Sequence, residues 1–135
     1  MKHFFKISSL LLLVLIISCG KKTSCSDFKS GTFLISKDTS FVKTQKIIRE
    51  NNSDIQISSK GDTVFAKIEW LNECSYKLKF DKTKMHLSNF QININTNKGI
   101  LVEYGQPENG IMPFISVIKG KSKTETFKGY MKKIK

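Results

Sequence analysis

From about residue 28 onward, apolar side chains recur at every second position rather than every third or fourth, and a period of two predicts strands, not helices. "GTFLIS" (31–36) opens the series, and "FVKTQKIIRE" (41–50) follows as a strand whose middle also reads as a short helix. Asn51-Asn52-Ser53 predicts a turn, after which "DIQIS" places Ile55 and Ile57 inward and Asp54 and Gln56 outward. Lys60-Gly61-Asp62 supplies the next turn, with glycine where a positive φ costs least. In "TVFAKIEWL", Val64, Ala66, Ile68 and Trp70 share one face against Lys67 and Glu69, and "SYKLKF" repeats the alternation with Tyr76, Leu78 and Phe80 against Lys77 and Lys79.

The second half continues in the same way. "MHLSNFQININ" (85–95), with Phe90, Ile92 and Ile94, reads as a strand, Asn97-Lys98-Gly99 as a turn, and "GILVEYG" as a strand carrying Ile100, Val102 and Tyr104. A loop from Gln106 to Gly110 precedes "IMPFISVIKG" and "TETFKGYMKKI", paired across Gly120; Pro113 fits only where its missing N–H faces no partner. The pattern predicts an all-β domain, an antiparallel meander of eight or nine strands with one apolar face and one lysine-rich face. Closing such a meander removes its edges, so a small up-and-down barrel or strongly curved sheet is the first expectation and a two-sheet sandwich the second.

The N-terminus breaks this pattern. Lys2 and Lys6 precede an apolar run, including Leu10 to Ile17, of signal-peptide length and too short to span a bilayer. The order Ile16-Ile17-Ser18-Cys19 resembles the lipobox of bacterial lipoproteins, which implies a signal peptide over 1–18, diacylglycerol on Cys19, and anchoring at the outer membrane, facing the periplasm or the outside. A polar tether (19–27) and one β-domain (28–135) follow. Cleavage before Cys19 leaves 117 of the 135 residues, a length that suits one modest core.

Charge invites a nucleic-acid reading: 23 basic residues stand against 11 acidic ones, and the mature chain keeps a net +10. Only Arg49 is arginine, whereas phosphate and base recognition favours arginine's planar fork, and the lysines are spread along the sequence. No nucleic-acid partner is expected. Lysines near an anchored N-terminus would favour anionic head groups.

A wider resemblance lies in "CSDFKSGTF" (25–33), in Arg49 with the downstream "IQI", and in "IEWLNECSYKL" (68–78). These segments resemble small Bacteroidota-type lipoproteins with a C-x-x-F-k-x-G-x-F start and a W-x-x-x-C-x-Y-x-L segment. The resemblance implies an exported, anchored β-domain and carries no established activity.

Catalytic patterns are missing from the mature sequence. His86, its sole histidine, sits in "KMHLSNF" without a nucleophile elbow, Glu69 and Glu73 flank a turn, and one histidine with three cysteines makes no closed metal set. Neither catalysis nor a cofactor is expected. The expected role is structural or protein-interacting within the cell envelope; the alternative is a barrel whose ten phenylalanines line a cavity for a small apolar ligand. Arg49 is expected to lock two strands through a bidentate contact with Glu69 or Glu73; Trp70 is expected in the core, with stacking at a barrel mouth as the alternative, and Tyr76 on the inward face of its strand. Acylation of Cys19 leaves Cys25 and Cys74 as the remaining thiols, and in an oxidising compartment they are expected to form a disulfide.

Overall fold

The computed structural model describes residues 20–135; the expected signal peptide (1–18) and the expected lipidation site Cys19 lie outside them. Eight strands run in chain order: β1 (Gly31–Ser36), β2 (Gln45–Glu50), β3 (Ser53–Ile57), β4 (Thr63–Asn72), β5 (Ser75–Phe80), β6 (Ile100–Tyr104), β7 (Ile111–Lys119) and β8 (Thr124–Lys133). Each pairs antiparallel with its neighbour, and β8 returns to β1, so the meander closes into an up-and-down barrel. A one-turn 3-10 helix (Cys25–Phe28) precedes β1, and one α-helix, α1 (Asn89–Thr96), joins β5 to β6. Among the described residues every strand pairing, the disulfide and the core lie within 25–135, and the barrel closes within this segment.

Local chemistry sets the register. Asn51 and Asn52 both take positive φ, 48° and 64°, the signature of a two-residue hairpin turn that asparagine tolerates. That turn makes Glu50 face Ser53 and Arg49 face Asp54. Asp54 therefore points inward and is fully buried, the reverse of the expected facing, while Ile48, Ile55 and Phe65 share the outer wall. Phe65 is covered there by the chain after β5, where its N–H meets Met85 Sδ and Lys84 lies over its ring.

Two further positions show why these residue types are needed. Gly129 sits opposite Phe114, whose ring occupies the space a Cβ would take, 2.6 Å away. Pro113 accepts a hydrogen bond from Gly105 through its carbonyl, so its nitrogen faces the same side, just beyond the last β6 pair, where no strand donor is required.

The expected strand over 85–95 is instead an exposed connection followed by α1. Ser88 and Gln91 cap the helix reciprocally: the Ser88 N–H donates to Gln91 Oε1, and the Gln91 N–H donates to Ser88 Oγ. Asn95 then substitutes for a missing strand, receiving the Phe80 N–H on its Oδ1 and donating its Nδ2 to the Phe80 carbonyl, both at 2.9 Å. The folded chain also begins three residues before Phe28, since Ser24 and Asp27 cap the 3-10 turn.

The interior is one continuous core. Phe28, Phe33, Ile47, Met112 and Met131 pack near the chain entry, and Ala66, Ile68, Tyr76, Leu78 and Val102 pack across from them. Tyr104 and Phe114 touch both groups. Burying a side chain of this size contributes about 1.5–3 kcal/mol.

Candidate functional site

The barrel has two unlike ends. At the entry end are the 3-10 turn, the β2–β3, β4–β5 and β6–β7 connections and the C-terminus; the other four connections form the far end.

The entry end is sealed around Arg49. β2 carries this side chain inward, where its exposure is 2%. Its Nε and Nη2 donate to the two Asp54 oxygens at 2.7 and 3.1 Å. Nη1 donates to the Phe28 carbonyl and to Tyr104 Oη, both at 2.8 Å, and Nη2 also donates to Tyr76 Oη at 2.9 Å. These five bonds use all five N–H donors of a guanidinium. The cation also lies 4.7 Å from the Tyr76 ring centroid and 5.6 Å from those of Phe33 and Trp70. Burial works against its charge, but Tyr76 and Asp54 outweigh that effect and hold the guanidinium above its ordinary range. Burial raises the Tyr76 and Tyr104 phenols against the pull of Arg49, so both stay neutral and accept its hydrogen bonds.

The partner of Arg49 is therefore Asp54, not Glu69 or Glu73. Glu73 pairs with Lys29 at the surface, 3.7 Å away, and Glu69 faces Lys77 across β4 and β5. Hairpin counting would have found Asp54, because a two-residue turn at 51–52 places 49 opposite 54. Phe28's contribution is a backbone carbonyl, which side-chain patterning does not reveal.

Trp70 and Tyr76 join this cluster with ring centroids 4.9 Å apart, and Lys29 Nζ lies over the Trp70 ring. The expected Cys25–Cys74 disulfide is present and ties the 3-10 turn to the β4–β5 connection. Covalent bond and Arg49–Phe28 hydrogen bond thus hold the same plug. Chemically this end is a lock: no donor of Arg49 remains for a ligand, and among the described residues no buried side-chain polar atom lacks a partner.

The far end is basic and partly apolar. Lysines that read as spread in sequence are gathered by the topology: its four connections carry eight lysines, at 37, 43, 60, 82, 84, 98, 121 and 123, against Asp38, Asp62 and Asp81. Phe90, Ile92 and Val42 are exposed there, and Phe127, inward by register, is 53% exposed at the rim. His86 is exposed in the connection before α1. Among the described residues no group of three His, Cys, Asp or Glu is placed to hold a metal ion, and no helix is long and apolar enough to cross a membrane.

The fold and the plug define a small closed barrel sealed at its entry end. No family model, curated protein or solved structure matches the chain.

Proposed function

We propose that the chain is an exported lipoprotein, anchored through diacylglycerol on Cys19, whose barrel is a protein-interaction domain of the cell envelope. The observation that carries this reading is the Cys25–Cys74 disulfide directly downstream of the lipobox-like sequence, since such bridges persist in oxidising compartments outside the inner membrane. The six steps from Cys19 to Cys25 span at most about 20 Å, so an anchor at Cys19 would hold the sealed end near the bilayer and turn the far end toward other envelope proteins. Replacing Cys19 with alanine is expected to abolish fatty-acid labelling and accumulate precursor. Labelled lipid persisting on that variant contradicts the anchor, and crosslinking from intact envelopes through far-end rather than entry-end positions tests the orientation.

A second reading, a small apolar ligand at the far mouth, is favoured by the exposure of inward-facing Phe127 and by half-buried Ile35, Val64 and Ile118, which face inward by register toward the same end. The entry half leaves no room for one, because Arg49, Phe33, Ile47 and the two core methionines fill it.

A further inference from the structure

We infer that a hollow on the outer wall, between β4, β5 and α1, binds a single-chain amphiphile with an anionic head. The inference depends neither on the Cys19 anchor nor on a ligand inside the barrel. Its first support is a conflict in the sheet. Lys67 and Lys79 face each other directly across β4 and β5, a like-charge pairing that destabilises a sheet. One step along the same strands and the same face, Glu69 faces Lys77 with opposite charges, so these strands are able to carry a matched pair. Lys82 adds a third ammonium to the hollow.

One carboxylate answers these three cations. Asp81 is 4% exposed and lies 3.8 Å from Lys67 Nζ, and its Oδ1 already accepts the Thr83 N–H and hydroxyl at 2.9 and 2.6 Å. Those two hydrogen bonds hold it below the usual carboxylate range, so it is charged at neutral pH and the hollow keeps a surplus of two positive charges.

Shape and lining decide what kind of anion fits. The hollow measures about 500 Å³, within the range of small-molecule sites. Leu87 and Ile92 give it an apolar wall, and Ile92 is 49% exposed. Asn95 fixes α1 against the end of β5 by bonding both backbone groups of Phe80, so the hollow is formed before any ligand arrives. A bare anion gains nothing from the apolar wall, and a neutral apolar ligand nothing from the lysines. An alkyl chain ending in a phosphate or carboxylate uses both.

The test is titration of the isotope-labelled, oxidised 20–135 domain, followed by backbone amide shifts, with dodecyl phosphate below its micelle concentration, inorganic phosphate, or dodecyltrimethylammonium. Dodecyl phosphate is expected to give saturable shifts centred on Lys67, Lys79, Lys82 and Ile92, at least tenfold tighter than inorganic phosphate, with no saturable shifts there from the cationic amphiphile. Lys79→Glu, which gives Lys67 an opposite-charge partner and so leaves the fold intact, is expected to weaken dodecyl phosphate at least tenfold. Lys132→Glu, at the entry end, is expected to leave it unchanged. Equal binding of both amphiphiles, phosphate binding as tight as its dodecyl ester, shifts centred on Phe127 at the barrel mouth, or no saturable shift each overturns the inference.

Discussion

At the entry end one cation is buried and every donor it has is engaged; at the far end eight lysines stand among the connections with three aspartates. The same barrel thus treats positive charge in two ways. A buried guanidinium persists only because each N–H finds an acceptor, and that requirement fixes the positions of β2, β3, β5, β6 and the plug relative to one another. Solvated lysines hold nothing in place, since exposed ion pairs contribute about 0–1 kcal/mol. The buried charge at the entry end specifies the structure, and the exposed lysines of the far end do not.

The comparison is broken most severely at Asp54. Asp54→Ala strands the Arg49 cation in the core and is expected to cost about 3–5 kcal/mol, measured by urea unfolding; a loss under 1 kcal/mol means the pair is not the lock described. Next comes the plug. Replacing Cys25 and Cys74 together with serine opens a crosslink of sequence separation 49 and is expected to cost about 2–4 kcal/mol, with the lowered midpoint as the readout.

A smaller effect is expected at the phenols, and it has a pH signature. Tyr76 and Tyr104 titrate above their ordinary range in the fold, so above about pH 10 the unfolded chain releases phenol protons that the folded chain keeps. The unfolded state then binds fewer protons, and stability, fully present below pH 10, falls as pH rises further. Tyr104→Phe removes one acceptor from Arg49 at a cost of about 1–3 kcal/mol at neutral pH and is expected to flatten that alkaline decline. Smallest of all is the far end: Phe90→Ser, at a side chain 62% exposed, is expected to change stability by less than about 0.5 kcal/mol. A larger loss there would erase the contrast between the ends.

Much of this was legible wherever the alternation of apolar and polar residues matched the pleat. The inward positions of β4, β5 and β6 follow it from Val64 to Trp70, from Tyr76 to Phe80 and from Ile100 to Tyr104, and closure into a barrel follows from the edge problem that a long meander faces. The disulfide followed from cysteine arithmetic. Two regions were misread for physical reasons. Phe90, Ile92 and Ile94 mimic a strand's period of two, yet Ser88 and Gln91 offer the helix its reciprocal cap, and that signal outweighed the alternation. Asp54 read as solvent-facing because patterning assigns charge outward; only its counter-ion, reached through the Asn51-Asn52 turn, makes burial affordable. The far-end gathering of lysines was invisible for a different cause: it depends on which connections share an end, a property of closure rather than of any local segment.

Native-state hydrogen exchange on the oxidised 20–135 domain, read amide by amide, tests most directly whether the entry end holds the fold. Ladder amides of β2, β5 and β6 beside Arg49, in particular Ile47, Tyr76 and Val102, are expected to exchange only through global unfolding and to lose protection together in the Asp54→Ala variant. Amides of α1 and of the 120–123 turn are expected to exchange at least a hundredfold faster and to keep their rates in that variant until global unfolding overtakes them. Protection that is uniform from one end to the other, or highest in the far-end connections, would contradict the account.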